Sequence, residues 1–243
     1  DVTLNAPNVF RACYTDAYQG SVAATFAIET LGAKKPGILR GLGNAYAEGL
    51  ADNFIATCED NGIEYVDEGY AAESKDLSAQ LSKMQEAGID ALFIPDYTNT
   101  VGPILVQAAN MGLDVTCLGG DGWDGITDEY AAEAEGFYFA NHYAATDEAA
   151  VVQNFIAAYS GKYDETPNAL GALAYDAVYL MAAAIDAAGS TDSAKIVDAL
   201  AASSLEGVTG DISFDANGDP IKSVAMITIK DGALALDSKV AAK

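Results

Sequence analysis

The chain has 243 residues, 51% of them hydrophobic, so it is long enough and apolar enough to bury a substantial core in one large domain or two lobes. It carries 36 Asp and Glu residues against 12 Lys and Arg residues, and its formal net charge is −24. This charge excludes nucleic acid and anionic lipid as partners, because their phosphate groups need cationic side chains for binding.

The first half of the chain alternates between strand patterns and helix patterns. Short apolar runs predict strands, and the amphipathic stretches between them predict helices that end at Gly32, Asn61-Gly62 and Gly88. This alternation predicts an α/β fold with a parallel sheet flanked by helices. The predicted strands are 9–14, 37–40, 63–66, 90–94, 114–118 and 137–140, and the predicted helices are 15–31, 45–60, 76–87 and 99–111.

Polar and aromatic side chains follow three of these predicted strands. Tyr46 comes after the second strand and Tyr97 after the fourth, while Asp121 and Trp123 come after the fifth. Ligands of parallel sheets bind outside the carboxyl ends of the strands, so these side chains are expected to project into one crevice. A carboxylate beside aromatic rings favours a small ligand that carries a positive charge.

The middle of the chain departs from the alternation, because the predicted helices 147–160 and 168–188 follow each other with no strand between them and 192–202 is a third helix. No run of apolar residues approaches the roughly 18 that indicate a membrane span, and Asp176 and Asp186 interrupt the Ala-rich stretch, so packed helices are expected. The first two helices are apolar enough to need a sheet, yet no predicted strand is left to cover them. We therefore expect part of the protein to lie outside this chain.

The end of the chain has β character. Asn217-Gly218 predicts a hairpin that joins a strand at 211–214 to a strand at 224–229. The turn 215–219 has the acidic pattern that begins a calcium-binding loop. The twelfth position of such a loop should be a Glu that binds the metal through both oxygens, but here it is Met226. We therefore expect no metal there.

The residues that commonly carry catalysis form no convincing set. Cys13, Cys58 and Cys117 lack metal-ligand spacing, so reduced thiols are expected, although a disulfide stays open. His142 has no nucleophile motif near it, and a structural role is expected. The chain has no Walker A motif, no G-x-S-x-G and no H-E-x-x-H, so we predict no catalytic residue, no metal and no cofactor.

Several groups of residues resemble, in their order and spacing over nearly all of the chain, the type I periplasmic binding proteins. The resemblance is strongest to the branched-chain amino-acid (Leu/Ile/Val) binding proteins of ABC importers. The matching groups are Phe10-Arg11 with Asp16 and Gln19-Gly20; Tyr46-Ala47-Glu48-Gly49; Asp76-Leu77 with Leu81; Gly119-Gly120-Asp121-Gly122-Trp123; Tyr175-Asp176-Ala177-Val178; Ala188-Gly189-Ser190; and Thr209-Gly210 with Phe214-Asp215 and Gly218-Asp219.

The resemblance implies a fold of two α/β lobes joined by three hinge crossovers, which would lie near 9–15, 138–144 and 207–213. Residues 9–140 and 207–243 would then form the second, complete lobe with its hinge segments, and residues 141–206 a helical remnant of the first lobe. Members of the family begin with further βα units that this chain lacks, so its first lobe is expected to be incomplete. The missing N-terminal half would be a separate chain or a lost segment.

The resemblance also assigns roles at the crevice. An acidic residue at the position of Asp121 holds the α-ammonium group of the ligand, and tyrosines at the positions of Tyr46 and Tyr97 flank it. The ligand's carboxylate is held by the first lobe. Other interpretations stay open: Asp121 as a loop residue of a Gly-rich turn, Tyr97 as an exposed residue before a helix, and Trp123 as either a cleft wall or a core anchor.

The expected function is the solute-binding component of an ABC importer. It would capture an amino acid, branched-chain or a related amine-bearing molecule, between its lobes by hinge closure, and would then dock on the permease subunits in the membrane. The expected location is extracytoplasmic, in the periplasm or as a cell-surface lipoprotein, and the start at Asp1 without an initiator Met fits a mature or trimmed product. Two alternatives remain, a ligand-sensing module of the same fold in a signalling system and an α/β enzyme with Asp121 as general base.

Overall fold

A computed structural model describes residues 2–241 of the chain. Residue 1, the expected mature start, lies outside the described residues, as do residues 242 and 243 at the end of the predicted range 207–243. The elements in the first half are α1 (Asp16–Glu29), β1 (Pro36–Leu42), α2 (Ala45–Asp60), β2 (Val66–Ala71), α3 (Ser78–Ala87), β3 (Ala91–Phe93), α4 (Thr98–Asn110), β4 (Thr116–Gly119), a 3-10 turn (Asp121–Trp123), α5 (Thr127–Tyr130) and β5 (Tyr138–Asn141). The second half contains α6 (Ala150–Tyr163), α7 (Ala169–Ala188), α8 (Ser193–Ala201), β6 (Ser204–Gly207), β7 (Gly210–Phe214), β8 (Pro220–Ile221), β9 (Val224–Lys230) and β10 (Ala233–Val240).

The chain forms two compact units. Within the described residues, the first unit consists of 2–15, 142–225 and 238–241, and the second unit of Asp16–Asn141 and Met226–Asp237. One boundary between the units lies after Thr15, at the end of the predicted crossover 9–15. Another lies after Asn141, inside the predicted crossover 138–144. The third predicted crossover, 207–213, lies inside the first unit instead, because β7 pairs there with β6 and β8.

The second unit is built on a seven-stranded sheet with the strand order β10-β9-β5-β4-β3-β1-β2. The pairs β1–β2, β1–β3, β3–β4 and β4–β5 are all parallel, which confirms the predicted α/β class. β3 is buried at every position, as expected for a central parallel strand that helices cover on both faces.

The core of the second unit lies between this sheet and the helices α1 and α2. Phe54 of α2 stacks on Phe93 of β3 with ring centroids 4.4 Å apart. Ile38 and Leu50 are fully buried in the same cluster. α1 and α2 approach closely at Gly20, where a Cβ atom would lie 2.2 Å from the carbonyl oxygen of Leu50.

Two predicted strands differ from the structure. Residues 9–14 form no regular strand; Arg11 is held through a backbone hydrogen bond to Gly218 and an ion pair with Asp219. The strand predicted at 63–66 begins at Val66 instead, because the amide of Ile63 still bonds to the carbonyl of Cys58 and continues the end of α2.

The predicted hairpin between 211–214 and 224–229 is also corrected. The turn after β7 leads into β8, which pairs with it antiparallel, so the first unit has the strand order β6-β7-β8. β9 joins the seven-stranded sheet beside β5. Its apolar run is buried at most positions, and only the larger sheet offers such a strand an apolar environment on both faces.

The helices of the first unit pack around two small apolar clusters. Tyr143 and Phe155 belong to one cluster, and Leu180 and Leu200 to the other. By length and composition, α7 is the one helix within residues 2–241 that could cross a membrane, and 33% of its 18-residue apolar stretch is buried inside the fold. Its inner side nevertheless carries a polar residue, the buried Asp176.

A buried polar network ties α7 to the small sheet. The Asp176 carboxylate accepts hydrogen bonds from the amides of Val208 (2.9 Å) and Thr209 (2.8 Å) and from the Thr209 hydroxyl (2.7 Å). Lys222, only 1% exposed, donates from Nζ to the Thr209 hydroxyl and to the carbonyl of Ala12. Burial lowers the pKa of Lys222 to about 8, although Asp176 and Cys13 oppose that shift.

The cysteines are free in the structure. Cys58 and Cys117 are buried and Cys13 is half-buried. Burial raises the pKa of Cys58 to about 11 and that of Cys117 to about 12, so both thiols are protonated and unreactive at neutral pH.

Replacing Gly20 with Ala should destabilise the second unit, since the added methyl would meet the Leu50 carbonyl and push α1 away from α2. We expect the free energy of unfolding in urea to fall by about 1–3 kcal/mol. Gly161→Ala on α6 is the matched control, because nothing lies within 4 Å of its added Cβ, and it should be neutral or stabilising by about 0.5–1 kcal/mol. Equal effects of the two substitutions would contradict the close contact.

The buried Lys222 should make stability depend on pH. Its pKa is about 8 in the folded chain against an ordinary value of 10.5, so the unfolded chain binds more protons between these values. The free energy of unfolding should therefore rise with pH from about 8 to about 10.5, by up to about 3 kcal/mol. Urea titrations of the wild type and of Lys222→Met at several pH values measure this rise, which the variant should lack. If stability depends on pH in the same way in both proteins, the lowered pKa of Lys222 is wrong.

Candidate functional site

Three predicted residues lie together at the carboxyl end of the parallel sheet. Tyr46 is in the first turn of α2, where the side-chain oxygen of Asn44 caps the helix by accepting from the amides of Tyr46 and Ala47. Tyr97 follows β3 and precedes α4, and Asp121 follows β4. Tyr46, Tyr97 and Asp121 are called the acidic wall below.

Hydrogen bonds and ring stacking hold the acidic wall together. The Tyr46 hydroxyl donates to Oδ1 of Asp121 over 2.8 Å and accepts the amide of Gly122 over 2.8 Å. The rings of Tyr46 and Tyr97 stack with centroids 4.8 Å apart and an interplanar angle of 23°. Tyr97 is 50% exposed, while Tyr46 and Asp121 are half-buried. The wall thus presents a fixed carboxylate beside an accessible aromatic face.

The two positions that flank Asp121 have no room for a side chain, so both are glycines. A Cβ atom on Gly120 would lie 2.3 Å from Oε1 of Gln19 and 2.7 Å from the Tyr46 hydroxyl. A Cβ atom on Gly122 would lie 2.7 Å from the carbonyl oxygen of Asp96. Any larger residue at either position would therefore displace the groups that orient the Asp121 carboxylate.

Trp123 lies behind the acidic wall. Its side chain is fully buried, and Nε1 donates to the carbonyl oxygen of Ile94 over 2.9 Å. The indole covers Gly119, where a Cβ atom would approach Nε1 to 2.1 Å. Of the two interpretations of Trp123, the structure shows the core anchor, so we expect it to support the turn that carries Asp121.

The acidic wall is electrostatically negative. Partial burial raises the pKa of the Tyr97 phenol, and the carboxylates of Asp121, Asp16 and Asp96 raise it further. Charges that disfavour a phenolate favour a cation at the same place. The wall can therefore attract an ammonium group and hold it through charge-assisted hydrogen bonds and the aromatic face.

The sequence interpretation missed a buried support beneath Tyr97. Asp96 is 6% exposed and accepts hydrogen bonds from the Tyr70 hydroxyl (2.5 Å) and from the amide of Tyr97 (2.8 Å). Burial, followed by the bond to Asp96, raises the pKa of the Tyr70 phenol far above its ordinary range. Asp96 lies two residues after the strand run 90–94, so the strand-end argument applied to Tyr97 could have found it; nothing in the sequence pairs it with Tyr70.

Within residues 2–241, no group of three His, Cys, Asp or Glu side chains could hold a metal ion. The turn 215–219 already uses its first carboxylate internally, since Oδ1 of Asp215 accepts from the amides of Asn217 and Asp219. The Asp219 carboxylate is paired with Arg11 over 2.7 Å.

Comparison with known proteins identifies the family. Residues 2–233 match the family model described as periplasmic binding protein. The chain belongs to this family. Its fold is similar to that of a leucine-binding protein, LivK, of Thermotoga maritima, with a TM-score of 0.89 and 32% identity over 98% of this chain and 69% of that one. It is also similar to the branched-chain amino-acid binding protein LivJ of Streptococcus pneumoniae, solved with isoleucine, with a TM-score of 0.79 and 34% identity over 93% of this chain and 64% of that one.

The sequence relatives agree with this assignment. A leucine-, isoleucine-, valine-, threonine- and alanine-binding protein of Pseudomonas aeruginosa is 33% identical over 87% of this chain and 57% of its own length. The Leu/Ile/Val-binding protein homolog 3 of Brucella melitensis is 32% identical over 87% of this chain and 58% of its own. The predicted family and type I fold are confirmed, and the family consists of binding proteins, not enzymes. The chain spans less than three fifths of these two relatives.

Replacing Tyr46 with Phe should loosen the turn at Asp121, since it removes the hydrogen bond to Asp121 and leaves the amide of Gly122 without its acceptor. We expect the free energy of unfolding to fall by about 1–2 kcal/mol and the Gly122 amide to exchange faster with solvent. Tyr65→Phe is the matched control, because Tyr65 donates only to the exposed Glu59, and it should change stability by less than about 0.5 kcal/mol. Unaltered exchange at Gly122 would show that the Tyr46 hydroxyl does not hold the turn.

Proposed function

We propose that this chain carries one half of the ligand site of an extracytoplasmic solute-binding component of an ABC importer. The ligand is an amino acid, branched-chain or a related amine-bearing small molecule, and it is bound without chemical change. The observation that supports this best is the acidic wall, in which a carboxylate oriented by a tyrosine hydroxyl lies beside a half-exposed aromatic ring. The relatives add support, since the P. aeruginosa protein is described as binding leucine, isoleucine, valine, threonine and alanine.

In this proposal each residue of the acidic wall has a role. Asp121 accepts hydrogen bonds from the ligand's ammonium group, Tyr46 orients Asp121, and Tyr97 places its ring against the cation. Trp123 and Asp96 support the two loops from the buried side. The Asp121 carboxylate is the residue on which amine recognition depends most.

The energies of these contacts indicate that the acidic wall binds weakly by itself. A hydrogen bond between an ammonium group and a carboxylate contributes about 1.5–3 kcal/mol, and the aromatic face adds about 0.5–2 kcal/mol. A micromolar complex needs about 8 kcal/mol. The ligand's carboxylate and side chain must therefore be bound elsewhere, in the part of the relatives that this chain does not cover.

The same proposal includes the rest of the binding protein, its closing motion, its membrane partner and its location. The missing N-terminal half would be a separate chain or a lost segment, and the two lobes would close over the ligand by a hinge motion. The closed protein would deliver the ligand to permease subunits in the membrane, from the periplasm or from a cell-surface lipoprotein anchor. Membership of the periplasmic binding protein family supports these expectations.

A thermal-shift screen of the complete protein tests the ligand class. Leucine, isoleucine and valine at about 100 times their dissociation constants should stabilise the folded state by about 2.7 kcal/mol and raise the melting temperature. Isovalerate, which lacks the ammonium group, should produce no shift. If no amino acid raises the melting temperature, the amino-acid assignment is wrong.

Asp121→Ala should abolish the shift produced by amino acids, because the ammonium group loses its carboxylate. Calorimetric titration with leucine should show at least a 100-fold loss of affinity. Asp114→Ala is the matched control, since Asp114 is exposed and lies before the opposite, amino-terminal end of β4. Unchanged affinity of the Asp121 variant would remove Asp121 from the site.

A further inference from the structure

Asp96 is a buried carboxylate with no cation beside it. It is 6% exposed, and within residues 2–241 no Lys or Arg side chain forms an ion pair with it. Burial of an acidic side chain is unfavourable for folding unless hydrogen bonds compensate for the lost water. Proteins break the rules of a stable core mainly at functional sites. The hydrogen bonds of Asp96 therefore indicate what this residue does.

Three neighbouring strands surround the Asp96 carboxylate. Tyr70 on β2 lies in register with Gly41 on β1, and β1 separates β2 from β3, which Asp96 follows. The Tyr70 hydroxyl donates to Oδ2 of Asp96 over 2.5 Å. Gly41 leaves room for this bond, since a Cβ atom there would lie 2.9 Å from that oxygen and 3.5 Å from the Tyr70 hydroxyl. One oxygen of the carboxylate is thus fixed by a buried side chain from β2.

The other oxygen of Asp96 contacts both tyrosine loops of the acidic wall. Oδ1 accepts the amide of Tyr97 over 2.8 Å and the side-chain amide of Asn44 over a longer 3.5 Å. Asn44 is the N-cap of α2, and its own side-chain oxygen accepts the amides of Tyr46 and Ala47. A single carboxylate therefore connects Tyr97, at the start of α4, to the first turn of α2, which carries Tyr46.

The position of the Tyr97 ring depends on this connection. The ring is 50% exposed and stacks on Tyr46 with centroids 4.8 Å apart. Among the described residues, the hydrogen bonds that hold Tyr97 all run through its backbone, from its amide to Asp96 and from the amides of Thr100 and Val101 to its carbonyl. A half-exposed ring stays in a defined place only when the loop that carries it is held by buried neighbours.

We propose that Asp96 is a positioning residue of the amine site, which holds Tyr97 in its stack on Tyr46 and thereby sets the aromatic face that the ligand's ammonium group meets. Tyr70 is its partner, because it fixes the carboxylate in the orientation that reaches both loops. Asp96 acts through Tyr97 and makes no contact with the ligand. This inference rests on the proposed function, in which an ammonium group binds at the acidic wall.

Nuclear magnetic resonance of the tyrosine rings in this chain tests the positioning without a ligand. Stacked rings shift each other's signals through their ring currents, and in Asp96→Ala this shift between Tyr46 and Tyr97 should largely disappear. Asp96→Asn keeps an oxygen acceptor for the Tyr97 amide, so it should preserve most of the shift.

Asp90→Ala is the matched control for Asp96→Ala. Asp90 lies before the opposite, amino-terminal end of β3, and its carboxylate also accepts two hydrogen bonds, from the amides of Lys34 (2.7 Å) and Lys35 (3.0 Å). Its removal should leave the ring signals of the acidic wall unchanged. If the stack survives in Asp96→Ala, or is lost equally in Asp90→Ala, Asp96 does not position Tyr97.

Two further variants keep Asp96 and remain informative if Asp96→Ala fails to fold. Tyr70→Phe removes the hydroxyl that is bonded to Oδ2, and Gly41→Ala places a methyl group 2.9 Å from the same oxygen. Both should change the ring signals in the same direction as Asp96→Ala. Tyr65→Phe, which removes a hydroxyl bonded to the exposed Glu59, should change nothing at the acidic wall.

Leucine titration of the complete protein tests the consequence for binding. Asp96→Ala should weaken leucine binding by about 10-fold or more, the effect of one misplaced contact to a charged group. Asp96→Asn should recover part of this loss, and Asp90→Ala should bind leucine like the wild type. If Asp96→Ala disrupts the stack and the affinity is unchanged, the positioning role is disproved.

The two measurements separate this inference from the proposed function. A wild-type protein that binds no amino acid, with a stack that Asp96→Ala disrupts, would disprove the proposed ligand class alone. A stack that Asp96→Ala leaves intact, in a protein that binds leucine, would disprove the positioning role alone.

Discussion

Parallel pairing of β1, β3 and β4 decides where every polar group of the acidic wall lies. The carboxyl ends of parallel neighbours fall on one edge of a sheet, so the loops that follow these strands converge although they are far apart in the chain. The Tyr46 hydroxyl thereby reaches Asp121 and Gly122 across sequence separations of 75 and 76 residues. A tyrosine hydroxyl that donates to one group and accepts from its neighbour fixes both, so the carboxylate has a defined orientation.

Close packing is the second condition for this geometry. Gly120 and Gly122 have no room for a Cβ atom, since Gln19, Tyr46 and the Asp96 carbonyl occupy that space. Behind them, Trp123 and Asp96 secure the two loops through bonds to Ile94 and Tyr70. The geometry of the wall therefore depends on buried groups, and a pre-organised arrangement of this kind would lose less entropy on binding a ligand.

The acidic wall has a chemistry that suits a small cation, because it gathers carboxylates around a half-exposed ring. Tyrosine is well matched to this setting, since its ring can face a cation while its hydroxyl remains hydrogen-bonded.

The amino-acid sequence was enough to predict the α/β class, the order of most helices and strands, and the meeting of Tyr46, Tyr97 and Asp121. These features follow from local signals, namely apolar runs, glycine stops and the rule that strand ends share an edge. The folded chain was needed to show that Trp123 is a core anchor, that Asp96 pairs with Tyr70, that β9 joins the large sheet and that residues 9–14 form no strand. Each of these depends on contacts between distant segments, and local periodicity is the same whichever partner a strand or side chain finally contacts.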